Sequence, residues 1–104
     1  MKEEKETSIN TVYDLLTFLK ETVLIIRFRK KDKTLRLMKC TLNEKDIPKS
    51  KLPKNTNIKN VVKNINENKI IHVFDIEKND WRSLPINRIE EIGDGNVSFR
   101  YNIK

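Results

Sequence analysis

The chain has 104 residues and a formal charge of +7, enough for one domain with a single modest core. Charged residues make up 36% and hydrophobic residues 37%, and no apolar run approaches the ~18 residues that a membrane-spanning helix needs. One cysteine, Cys40, and one histidine, His72, exclude an intrachain disulfide and a metal site built by a single chain.

Residues 1–7, MKEEKET, read as a flexible, acidic lead-in without the apolar stretch of a secretion signal, so a cytoplasmic location is expected. A helix is predicted over 8–21. Ile9, Val12, Tyr13, Leu16 and Leu19, with Leu15 beside them, recur at spacings of three and four, and Thr7 or Ser8 supplies an N-cap oxygen. Thr22 to Lys30 follows as a strand, with Leu24, Ile26 and Phe28 on one face and Val23, Ile25, Arg27 and Arg29 on the other. Lys31, Asp32 and Lys33 turn the chain into a second strand, Thr34 to Thr41. There Leu35 and Leu37 oppose Arg36, Met38 and Cys40, and the pattern leaves open which set faces the core.

Residues 42–68 form a long basic connection. Pro48 and Pro53 break its first half, while Ile58, Val61, Val62 and Ile65 predict a short, marginal helix in its second. Two strands, about 69–76 and 80–86, make a hairpin around Glu77, Lys78, Asn79 and Asp80. A 3₁₀ turn is expected over 87–92, then a Gly93–Asn96 turn. A last strand, 97–103, follows with Val97, Phe99, Tyr101 and Ile103 inward. Helix plus five strands, with a 3₁₀ turn before the last, is the order of a mainly β, SH3/Sm-like barrel in a single domain spanning 1–104.

Charge is uneven. Residues 22–63 carry net +10, while 1–21 carry −2 and 64–104 carry −1. Lys, Asn and Ile are all encoded by AT-rich codons, so part of the lysine excess is compositional, and arginine is the better guide to a selected cation.

Arg36, Met38, Cys40, Thr41 and Leu42, then Ile47 and Pro48, then Val73, Asp75, Glu77, Lys78, Trp81, Arg82, Ser83, Arg88 and Ile89 follow a pattern R-x-M-x-C-T-L … I-P … V-x-D-x-E-K-x-x-W-R-S-F-R-x-D-R-I. In this the chain resembles a WYL-like family of small phage and large-virus proteins with an Sm-like SH3 β-barrel fold, over residues 22–92. It departs at Leu84 for Phe, Pro85 for Arg and Asn87 for Asp. The resemblance implies the fold and a viral or phage origin, and it implies no activity.

No constellation for catalysis is present. Cys40 has no histidine in its hairpin, His72 sits mid-strand among apolar residues, and Glu90 and Glu91 read as a solvated acidic pair. Both glycines fall in one turn, so no glycine-rich phosphate loop exists. No enzyme, cofactor or metal is expected. The candidate site is the basic hairpin: Arg27, Arg29, Lys30, Lys31, Lys33, Arg36 and Lys39 are expected to gather on one wall and contact phosphates. Trp81 and Arg82 are the candidate base contacts, Trp81 as a stacking platform if it faces outward and as a plug of the barrel if it does not. Two readings follow. One is a nucleic-acid-binding accessory protein taking RNA or single-stranded DNA. The other is a protein-interaction module whose basic face meets an acidic host factor. No membrane partner is expected, and barrels of this type allow a homo-oligomer.

Overall fold

In the computed structural model the described residues are 8–52, 63 and 65–103. They build seven strands, the α-helix Val12–Glu21 and further helical residues at 65–68. The elements are β1 (Ser8–Ile9), α1 (Val12–Glu21), β2 (Leu24–Arg29), β3 (Leu35–Thr41), β4 (Ile70–Asp75), β5 (Asp80–Pro85), β6 (Ile89–Gly93) and β7 (Ser98–Tyr101). Short 3₁₀ turns occupy Glu44–Asp46, Lys49–Lys51 and Ile86–Arg88. The sheet order is β1-β7-β6-β2-β3-β4-β5. A mainly β barrel preceded by a helix is therefore what forms, with seven strands rather than the expected five.

The two extra strands are β1 and β6. Helix α1 starts four residues later than expected, because Thr11 is its cap. The Thr11 side chain accepts from the Asp14 N–H, and the Asp14 carboxylate accepts from the Thr11 N–H, both at 3.1 Å. This reciprocal pair fixes the helix start and frees Ser8 and Ile9 to run parallel beside Arg100 and Tyr101. Ile9 is buried in that strand, while Tyr13, expected on the helix's apolar face, is 70% exposed.

The other correction lies after β5. The 3₁₀ turn is only Ile86–Arg88, and the stretch taken for the rest of that turn is β6, which pairs with β2. The last strand is shorter than expected, and Val97 lies outside it, 57% exposed. Gly93 is needed where β6 meets β7: a Cβ there would stand 2.8 Å from the Val97 carbonyl oxygen.

Leu24, Ile26 and Phe28 of β2, Met38 and Cys40 of β3, Ile71 and Val73 of β4, and Leu84, Ile86 and Ile92 fill the core. The open question in β3 is settled by this: Met38 and Cys40 point inward, and Leu35 and Leu37 stand exposed. Leu15, Leu16 and Leu19 of α1 lie on the same core, and Phe18 packs against Phe99 with ring centroids 5.1 Å apart. Thr41 ties the helix to the sheet. Its buried hydroxyl lies 3.0 Å from the Leu19 carbonyl and 3.1 Å from that of Thr22, and accepts from the Asn43 N–H at 2.9 Å.

The connection of 42–68 carries two 3₁₀ turns in its first part and helical residues at 65–68, with Ile65 buried. Most of the helix expected from Ile58 to Ile65 lies outside the described residues, as do residues 1–7. None of the described helices is long and apolar enough to cross a membrane.

Candidate nucleic-acid interface

The basic hairpin does not form one wall. Strand alternation sends Arg27 and Arg29 to the outer face of β2, where each meets a carboxylate from β6. Arg27 Nη2 lies 2.5 Å from Glu91 Oε2, and Arg29 Nε lies 2.6 Å from Glu90 Oε2. A register shift lets two consecutive glutamates serve one face: Arg27 pairs with Glu91 but Phe28 pairs with Ile89, so Glu90 is an extra residue in the strand. The acidic pair is thus engaged by arginine rather than simply solvated. Arg29 also donates to the Lys33 carbonyl at 2.8 Å. Lys39 lies on that outer side too, opposite Ile25.

Lys30, Lys31 and Arg36 go elsewhere. β3 and β4 share only two register pairs, Cys40 with Asp75 and Thr41 with Phe74, so the hairpins β2–β3 and β4–β5 splay apart. A cleft of about 590 Å³ opens between them. Six cations line it: Lys30, Lys31, Arg36, Lys69, Arg82 and Arg88. Among the described residues, no carboxylate lines it. Its apolar surface comes from Phe28, Met38, Ile70 and Pro85, and Asn68, Ser83 and Asn87 add polar groups.

Among the described residues, ion pairs engage only Arg36 of the six. Arg36 Nη2 lies 3.6 Å from Oδ2 of Asp75, a carboxylate buried in the barrel. The other five are exposed and make no ion pair with a described residue. Lys69 has φ 57°, in the left-handed region that a β-carbon disfavours. Its N–H donates to the Ile65 carbonyl at 2.7 Å and its carbonyl accepts from the Ile86 N–H at 2.9 Å. Those bonds anchor the 3₁₀ turn that carries Asn87 and Arg88.

Sequence reasoning identified Lys30, Lys31, Arg36 and Arg82 but missed Lys69 and Arg88. Arg88 matched the family pattern, which was the available signal; Lys69 carried none, since its position depends on the backbone bend after the 65–68 turn.

Trp81 lies away from the cleft. Its ring stands edge-on to Phe74, centroids 5.7 Å apart, and its indole N–H donates to the Lys51 carbonyl at 2.8 Å. The ring is half-buried and its one donor is taken. The indole acts as a strut between β5 and the 3₁₀ turn at 49–51. Cys40 is fully buried, and burial, with the Asp75 charge adding to it, pushes its thiol up to about 12. A thiol so protonated is a poor nucleophile.

A family model described as WYL_2, Sm-like SH3 beta-barrel fold, matches residues 12–90. The chain belongs to this family. No curated protein and no solved structure matches it. In this WYL_2 barrel several residues that carried the resemblance serve the scaffold: Thr41 binds helix to sheet, Trp81 braces the connection, and Asp75 accepts from the Lys78 N–H at 3.1 Å to close the β4–β5 turn. Arg36, Arg82 and Arg88 differ, because they face the cleft. Pro85, where the pattern has arginine, lines the same cleft and replaces a charge with an apolar ring.

Proposed function

We propose that this WYL_2 protein is a non-enzymatic nucleic-acid-binding accessory protein, viral or phage-encoded as the resemblance implies, that holds phosphates of a single strand in the cleft between its two hairpins. The observation that carries this is the lining: among the described residues, six cations and no carboxylate surround one concavity. Clustered like charges repel one another, and a polyanion relieves that repulsion while releasing its condensed counterions. The outer arginines are the weaker candidates, because Glu90 and Glu91 already neutralise them. The acidic-protein alternative gains little from strand addition. The outer edge of β5 is blunted by Pro85, which has no N–H, and by the Trp81 N–H, which donates to Asp80 Oδ1 at 2.8 Å.

The test is binding of labelled single-stranded RNA and DNA at two salt concentrations. Wild type, an R82Q/R88Q double variant and an R27Q/R29Q double variant are compared. Loss of two phosphate contacts lowers the slope of log K against log salt by about 1.4 for a single strand. That change is expected for the cleft variant and not for the outer one. Equal binding by all three proteins overturns the proposal.

A further inference from the structure

We propose that the cleft selects a terminal phosphomonoester on a nucleoside, at the phosphorylated end of a strand or on a free nucleotide, over the internal diesters of a chain. For the strand end this rests on the nucleic-acid reading above; for the free nucleotide it does not.

Shape comes first. A protein that tracks a backbone strings its cations along a groove. Here Lys30 and Lys31 from one turn, Arg36 from β3, and Lys69, Arg82 and Arg88 from the second hairpin and its flanks converge on one concavity of about 590 Å³. That is the size of a site for one small molecule. Charge points the same way. A phosphomonoester carries about −1.5 to −2 at pH 7 with three acceptor oxygens, whereas each internal diester carries a single charge. Several cations lining one concavity, with no carboxylate among its described residues, gain most from the more compact and more highly charged group.

The remaining lining suits the nucleoside. Ile70 and Pro85, half-buried over the core residues Phe28 and Met38, offer an apolar surface to a sugar or base, and Ser83 and Asn87 offer donors and acceptors beside it. Such a mixture, apolar with a few placed polar groups, is what orients a small ligand. Lys69 adds to the case. It holds a backbone conformation that glycine or asparagine adopts more easily, and two main-chain hydrogen bonds lock it there.

Binding of a short labelled oligonucleotide is measured with a 5′-phosphate, with a 3′-phosphate and with hydroxyl ends. A nucleoside monophosphate, the matching nucleoside and inorganic phosphate serve as competitors. One phosphorylated strand is expected to bind about tenfold tighter than the hydroxyl-ended strand. The preference is expected to fade between pH 7 and pH 5, as the monoester dianion takes up one proton near ~6 and becomes a monoanion. R82Q/R88Q abolishes the preference and R27Q/R29Q leaves it intact; K30Q/K31Q serves as a second cleft variant should the first fail to fold.

The monophosphate competes and the nucleoside does not. A monophosphate binding as tightly as the strand end assigns the site to free nucleotides, and a tighter strand end assigns it to nucleic acid. Equal binding of phosphorylated and hydroxyl-ended strands overturns this inference while leaving the nucleic-acid reading intact. Mononucleotide binding without any strand binding does the reverse. Inorganic phosphate competing as well as the nucleotide overturns the nucleoside part.

Discussion

Arg36 and Asp75 meet where the two hairpins part, Nη2 to Oδ2 3.6 Å, one residue half-exposed at the cleft and the other 2% exposed in the barrel. The pair joins the candidate site to the scaffold. Asp75 is opposite Cys40 in register and closes the β4–β5 turn through Lys78, so its position is set by the fold. Arg36 is then held at the cleft by a charge that also competes with any anion entering there.

That competition has a measurable consequence. Asp75→Asn keeps an acceptor for the Lys78 N–H but removes the charge facing Arg36. Stability is expected to fall by about 1–3 kcal/mol, the cost of disturbing a buried, hydrogen-bonded carboxylate. Affinity for a single strand at low salt is expected to rise several-fold, since Arg36 no longer has to leave a partner. Urea unfolding and strand binding on the same preparation measure both. An affinity that stays level would show that Arg36 makes no contact with the anion.

The outer ion pairs behave differently. Arg27, Arg29, Glu90 and Glu91 are all largely exposed, with side-chain exposures between 39% and 53%. Such pairs contribute at most about 1 kcal/mol each. R27Q and R29Q are each expected to lower stability by less than that in a urea titration, and the difference is expected to shrink in ~1 M salt. A larger loss that persists in high salt would mean that the stems of these arginines contribute by packing.

How far the sequence reached depends on whether local rules or pairing decided the outcome. In β2 the alternation of Leu24, Ile26 and Phe28 with Arg27 and Arg29 was legible, since one apolar face and one charged face admit one orientation. In β3 both faces held apolar residues, and only pairing with β2 turned Met38 inward and Leu37 outward. The extra residue at Glu90 was not legible, because a strand bulge is set by the partner strand. Nor was β1: Ile9 fits a helical repeat as well as it fits a strand, and the Thr11–Asp14 capping box stood inside the expected helix as a signal that could have moved its start. The candidate site divided in the same way. Which cations existed was plain, but which of them faced carboxylates depended on the sheet order.

Two polar contacts hold the long connection and the helix to the barrel, and each has a conservative variant. Thr41→Val removes the acceptor of the Asn43 N–H and the hydroxyl beside the Leu19 and Thr22 carbonyls. Trp81→Phe removes the donor to the Lys51 carbonyl and keeps an aromatic ring against Phe74. The first is expected to cost about 1–3 kcal/mol, because the Asn43 N–H and the Thr22 carbonyl it leaves without this partner are part-buried, and the second about 1 kcal/mol. Strand binding by Trp81→Phe is expected to equal that of wild type. A tenfold loss there, with the fold intact, would restore Trp81 as a base contact.

Cys40 gives the protein a dependence on alkaline pH. In the folded chain its thiol is pushed up to about 12 by burial, with Asp75 adding to the shift, whereas in the unfolded chain a thiol titrates near ~8.5. Between those values the unfolded state releases a proton that the folded state retains. The contribution to stability is therefore complete below pH ~8.5 and is lost as pH rises toward the folded value, on the order of 1–2 kcal/mol by pH 10. Tyr101, also raised by burial, acts with the same sign from about pH 10 upward. Cys40→Ala is expected to cost roughly 1 kcal/mol at pH 7 for the lost volume and to lose less stability than wild type between pH 8 and pH 10. Urea midpoints at the two pH values measure this, alongside a thiol reagent that should leave the native protein unmodified at pH 8. Parallel losses in the two proteins, or rapid modification of the folded chain, would place Cys40 in contact with solvent.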